Sequence, residues 1–564
     1  MRKLYYDGKI VTMDGQKICD ALGVEDGKIV FAGTAADAGL QAWDEKECLN
    51  GRLVLPAFTD THMHVLHYAM LQEELNLYGT DALEKMIAMG KEKVQSGASY
   101  VFGMGWNQEV FENPVFPQKE DMDKISGDIP VIMLRTCGHI AVVNSKALEM
   151  IRNMDIAPDV MANVNFEKGW LKESAMRLYM SLIPKRDAAY IQKLFLSAQK
   201  KLNRYGIAAV HSDDMASIPG TTWRDVVEAM TKLDQENQMT VHLREQCLVF
   251  DANGEFENFV RETKELRAHP GKYFEIGPRK LLQDGSLGAK SACMIHGYAD
   301  DPDNHGIPTY TDDELYQQIK EADRQQMDVA VHAIGDLAVQ KVIDALEKVI
   351  GESDRPSHMH GIVHAQFVTE EDMARMAALG IQAYIQPIFI NSDLAILDQR
   401  VLPEYQSEGY AWKSLQEAGI LTSGGSDCPV EFFDPLKNIY TAVARKSLSG
   451  GGAFAPNEAL SVYDAVRLFT SSAAKAGGHA HDRGMIKENY AADFVVIDKD
   501  IFETDPERGE RHKDGGWRIY GLPSMTICPK IMGYLEKKIH LILKKDNLNW
   551  RGLSFLCYLQ KNIK

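Results

Sequence analysis

Nowhere in these 564 residues does a run of about 18 uninterrupted apolar residues occur, and the start, MRKLYYDGK, has no apolar h-region. Neither a membrane span nor a secretory signal is supported. No C-x-x-C pair exists among the eight cysteines, at 19, 48, 137, 247, 293, 428, 528 and 557, which suits buried thiols in a reducing compartment. A cytoplasmic location is expected. Positive charge is also short: the net charge of -18 argues against nucleic acid or anionic membranes as partners. Internal repeats and low-complexity tracts are missing too. With 45% hydrophobic and 25% charged residues, the chain reads as a globular protein with a large core, longer than one ordinary domain.

Histidine is what stands out. In FTDTHMHV, His62 and His64 follow the apolar run Leu53 to Phe58. Residues two apart in a strand point to the same side, so both imidazoles can grip one cation. A lone HxH also arises by chance, and His358 and His360 in SHMHGIVH supply a comparison. They precede an apolar step rather than ending it, so a solvated loop is the better reading for them. Asp60 shares the strand face of His62 and is expected to orient an imidazole by accepting a hydrogen bond.

Three further motifs end apolar, strand-like runs: Lys280 in RKLLQDGSLGAKSA, His332 in VAVHAIGD and His364 in GIVHAQFV. The spacings from Lys280 to His332, His364 and Asp427 are 52, 32 and 63 residues in turn, each room for one strand, one helix and their loops. That is the cadence of a (β/α)8 barrel, whose chemistry lies at the strand ends. Thr369 is expected to cap the helix after His364. An ammonium cannot ligate a cation, so Lys280 has two readings. Burial near metals favours the neutral amine, which can take up carbon dioxide to become a carbamate oxygen donor. Alternatively it pairs with Asp284, four residues on. Asp427, in SGGSDCPVE, is either a general base beside an activated water or a cap of the following segment.

The order HxH, strand-end Lys, His, His and late Asp resembles the amidohydrolase superfamily. The wording GRLVLPAFTDTHMH, GHIAVVNSKAL, KLLQDGSLGAKSA, VAVHAIGDLAV and GSDCPVEFFDPL is similar to its amidohydrolase-3, or YtcJ-like, group, over roughly residues 1 to 500. The resemblance implies a hydrolase of amide C–N bonds with one or two divalent ions, usually Zn2+. His62 and His64 would bind the more buried ion, N-carboxylated Lys280 would bridge, His332 and His364 would hold the second, and Asp427 would be the base. Trp106, His139, Asn144 and Asp284 are the expected substrate-binding residues. The chain departs from the group at Ala57, where glycine is usual, and at Val363, where glutamate is usual.

The expected class is α/β: a TIM-like (β/α)8 barrel over 56–480 with an inserted subdomain at about 70–200 covering the mouth. The ends, 1–55 and 481–534, are expected to form a small β-sandwich. The last 30 residues hold seven Lys or Arg against Glu536 and Asp546, a basic tail over 535–564 of no assigned role. The expected activity is hydrolysis of a small-molecule amide of the N-substituted formamide or N-acyl type, with a homodimer compatible. Deaminase, ester or carbamate hydrolase chemistry on the same site is the alternative, and a catalytically silent binding barrel is the other.

Overall fold

The computed structural model describes residues 1–135, 140–184, 186–250 and 254–503. His139 and the tail 535–564 lie outside the described residues. Contacts divide the described chain into two units, one of 1–58 with 481–500 and one centred on 59–480.

In the larger unit eight parallel strands form a nearly closed barrel: β1 (Phe58–Met63), β2 (Ile207–Ser212), β3 (His242–Cys247), β4 (Phe274–Leu282), β5 (Val329–Ala333), β6 (Gly361–His364), β7 (Gln382–Ile385) and β8 (Thr422–Gly424). They pair in chain order from β1 to β8. Runs such as Val329, Ala330 and Val331 are buried on both faces, as a parallel sheet covered by helices requires. The helix Asp336–Glu352 shows the matching pattern, burying Val339, Val342, Ile343, Leu346 and Val349 at three- and four-residue spacing. The N-cap expected after β6 is present, the Thr369 hydroxyl accepting from the Asp372 backbone.

The joint between β8 and β1 is made beyond the last strand. Gly425 still continues the pairing with β7, donating to the Ile385 carbonyl at 2.9 Å, while Asp427 N–H donates to the His62 carbonyl of β1 at 2.8 Å. Asp60 accepts from both the backbone and the hydroxyl of Ser426, the latter at 2.6 Å. A side chain on Gly425 would come within 2.5 Å of the His62 nitrogen, so only glycine permits this closeness.

Between β1 and β2 lies a second sheet of six strands, in the order Val164–Asn165, Trp170–Lys172, Ile140–Val143, Val131–Arg135, Val101–Trp106 and Leu75–Asn76. Alternate residues face opposite cores: Phe102, Ile132 and Val143 on one side, Val101, Val131 and Val142 on the other. Among the described residues of the smaller unit six strands join one mixed sheet, with Arg2–Val11 pairing to Ile18–Glu25 and Phe494–Ile497 pairing to Leu53–Pro56. Among the described residues no helix is long and apolar enough to cross a membrane.

Candidate metal centre

At the carboxyl ends of β1, β5 and β6 and in the turn after β8, four imidazoles and one carboxylate converge. Asp427 Oδ1 lies 3.3 Å from His62 Nε2 and 3.1 Å from His64 Nε2. His364 Nε2 lies 2.9 Å from His332 Nδ1, and the His62 and His364 rings are 5.7 Å apart. His62, His364 and Asp427 each offer a ligand atom within 4.8 Å of the others, all three residues being buried. The structure brings together the five sequence-predicted groups His62, His64, His332, His364 and Asp427.

The outer nitrogens fix the tautomers. His62 Nδ1 meets the Gln246 side-chain oxygen at 2.6 Å, His64 Nδ1 the Asp213 carbonyl at 2.8 Å, and His332 Nε2 the Gly285 carbonyl at 3.1 Å. An acceptor outside makes each outer nitrogen the donor, so the inner nitrogen of a neutral ring presents its lone pair to the centre, while His64, charged beside Asp427, carries a proton on both nitrogens. Several lone pairs and a carboxylate oxygen aimed at one another make a donor set that fits a divalent cation of the nitrogen- and oxygen-binding kind, zinc among them.

The backbone is held in sparsely populated conformations at the same place. His364 has φ 77° and Asp427 φ 56°, left-handed values that non-glycine residues adopt at a cost of about 1–2 kcal/mol. Such strain gathers where the surrounding structure fixes a side chain for use. The Phe389 ring stacks on His364 at 5.6 Å and closes one wall.

Electrostatics follow from burial. Burial and the Lys280 charge pull His62 down to about 4. For His64 burial acts the same way, but the Asp427 carboxylate outweighs it and lifts the group to about 9. Burial disfavours the Asp427 carboxylate, yet the neighbouring His62 and His64 hold it well below the usual carboxylate range. Asp427 is an ionised acceptor.

Several expectations are corrected. Lys280 is buried but pairs with Asp213 at 3.1 Å, not with Asp284. Asp284 is not presented to substrate: its carboxylate accepts from the Cys293, Ile334 and Gly335 backbones at 2.9 to 3.0 Å and backs His332 at 3.4 Å. Trp106 is a core residue of the inserted sheet, its indole donating to the Met133 carbonyl at 2.8 Å. Asn144 is the N-cap of helix Ser145–Arg152 and also ties down Val131, Ser126 and Ile129. Asp60 orients the His62 backbone rather than an imidazole, and burial pushes it up to about 7 against the hydrogen bonds from Ser426 and His62. His360 is not in a solvated loop but fully buried, accepting the Val329 N–H at 3.1 Å. Asp213 and Gln246, which hold three of the site's groups, were not anticipated. Asp213 directly ends the apolar strand run IAAVHS, whereas Gln246 lies inside the strand HLREQC and ends none.

A parallel barrel carrying histidines and a carboxylate at its strand ends defines a metallohydrolase-type centre. The family model described as Amidohydrolase family matches residues 49–528, and the chain belongs to that family. YtcJ of Bacillus subtilis (strain 168) is 32% identical over 528 residues, covering 90% of this chain and 96% of YtcJ. The N-substituted formamide deformylase of Arthrobacter pascens is 24% identical over 522 residues, covering 88% of this chain and 93% of its own. Among solved structures, the uncharacterized metal-dependent hydrolase of Pyrococcus horikoshii OT3 superposes with a TM-score of 0.75 at 25% identity, covering 90% of this chain and 99% of that one. Its counterpart from Pyrococcus furiosus gives 0.73 at 26%, covering 89% and 100%.

Proposed function

We propose that this chain is a cytoplasmic, metal-dependent hydrolase of amide C–N bonds, acting on N-substituted formamides or N-acyl compounds and using zinc. The observation that carries the reading is the ionised Asp427 carboxylate within 3.3 Å of two imidazoles whose outer nitrogens are tied outward. The similarity to a formamide deformylase supports the substrate class, and the free thiols Cys19, Cys247, Cys293 and Cys428 suit the compartment.

A bound divalent ion polarises the amide carbonyl and acidifies water. His62 and His64 would hold one ion and His332 and His364 a second. Lys280, once neutral and carboxylated with loss of a proton, would supply an anionic oxygen ligand. Asp427 takes a proton from the attacking water and delivers it to the leaving nitrogen. The C–N bond breaks, and the products are a carboxylic acid, formic acid for a formamide, and an amine. Phe389 stacks its ring on His364 and so helps to hold that imidazole in place.

Elemental analysis of purified protein, coupled to a hydrolysis screen over N-formyl, N-acyl and cyclic amides, tests the proposal. Metal and turnover of at least one class are expected. Asp427→Asn should keep the metal and lower kcat by about 10² to 10⁴, the usual share of a positioned acid–base group. A folded, active sample without metal, or unchanged kcat in Asp427→Asn, would overturn it.

A further inference from the structure

One imidazole beside the metal centre is tied to nothing. His67 is the third histidine of THMHVLH and follows His64 by three residues. Strand β1 turns directly into helix Val65–Glu73, with His64 at the N-cap and its carbonyl accepting the Tyr68 N–H at 2.9 Å. Side chains three apart share a helix face, and each leans toward the helix start. The first turn therefore carries the His67 ring back toward His64 and the centre. Its neighbours Leu66 and Tyr68 are buried, and from Val65 to Leu71 only His67 keeps part of its surface open.

This ring differs from those that converge. His62, His64 and His332 each have a nitrogen fixed by an outside acceptor, whereas among the described residues no group hydrogen-bonds either nitrogen of His67. Neither nitrogen is among the enclosed polar atoms that lack a partner, so both reach open space. Burial and the His64 charge pull His67 down to about 4 against the Asp427 carboxylate. The ring is thus neutral, with one donor and one acceptor nitrogen. His64 and Asp427 are the charged groups that act on it, which puts it on the Asp427 side of the centre. In a trans amide the N–H points away from the carbonyl oxygen. With that oxygen turned to the centre, the N–H is directed outward, to a group beyond the ligand imidazoles.

We infer, on the reading of this chain as an amide hydrolase, that His67 is a substrate-binding residue whose open nitrogen accepts the N–H of a secondary amide and holds the leaving nitrogen beside Asp427. The site thereby selects secondary over tertiary amides, because an N-methyl group has no hydrogen to give.

Calorimetry on the full chain carrying Asp427→Asn, which binds without turning over, tests this with N-butylformamide, N-butylacetamide and their N-methyl counterparts. The secondary amides should bind about tenfold more tightly than the tertiary ones, the worth of one hydrogen bond. Adding His67→Leu should remove that preference while metal content and Tm stay as they were, and His67→Asn, whose side-chain oxygen can accept, should restore part of it. The same ratio should appear in kcat/KM when Asp427 is intact. No binding of any of these amides, a preference that is the same with and without His67, or metal lost in His67→Leu, which would make His67 a ligand, overturns the assignment. Turnover of amides without the preference overturns it too and leaves the hydrolase reading standing. Binding with the preference but no turnover by the wild type would sink the hydrolase reading and support His67 as the amide's acceptor.

Discussion

Gln246 decides which nitrogen of His62 faces the centre. Its side-chain oxygen accepts from Nδ1 at 2.6 Å, and its own amide is anchored on the Thr61 carbonyl at 3.2 Å, so the acceptor cannot turn away. Gln246→Leu should therefore weaken metal binding by about 10- to 100-fold, the usual cost of losing a partner that orients a ligand. Gln246→Glu, which restores an acceptor, should recover most of it; a competitive chelator titration reads both, and equal affinity in all three proteins would show that Gln246 merely fills space. The five converging groups were legible because each ends an apolar run at barrel spacing. Asp213 and Gln246 were not. Their strands lie after the long insertion, where the cadence of motifs is interrupted, and a single Asp or Gln carries no ligand-type signature of its own. The alternative that paired Lys280 with Asp284 fails for a related reason: Asp284 is near it in sequence, whereas Asp213 is brought to it only by the pairing of β2, β3 and β4.

At the scale of elements, the inserted sheet shows how a motif taken by resemblance can serve structure. Asn144 accepts from the backbones of Ala147 and Val131 and donates to the carbonyls of Ser126 and Ile129, joining a helix start to a strand start. Asn directly before the helical SKALEMIR suits an N-cap, because its short side chain can accept from the first turn. Asn144→Ala should cost about 1–2 kcal/mol or more through the lost cap and stranded backbone groups. A lower Tm with unchanged KM is the expected outcome. An intact Tm with raised KM would return Asn144 to the substrate pocket. The barrel itself was legible because helix and strand periods alternate cleanly from β4 to β8, while the small unit's strands gave a sheet whose pairing the sequence pattern alone does not dictate.

At the scale of the whole molecule, the pH range of stability is set partly at the start of β4. Burial disfavours the Glu275 carboxylate, but His479 at 3.1 Å and Arg244 at 3.1 Å prevail and hold it down to about 2. A carboxylate with a depressed folded pKa contributes stability that is fully present above its unfolded value, near 4.5, and is lost as pH falls through about 2. Glu275→Gln should thus lower stability at pH 7 and flatten its dependence between about pH 5 and 2, measured by denaturant titration across that range. An unchanged acid limb would show that other carboxylates govern it.

The joint between β1 and β8 has one more implication. His62 belongs to the first strand of the barrel and Asp427 to the turn after the last, yet their backbones are bonded at 2.8 Å. During synthesis the amino-terminal histidines emerge long before the carboxylate they face, so a chain halted before residue 427 can hold all four imidazoles and still lack both the carboxylate and the backbone bond that ties the last turn to the first strand.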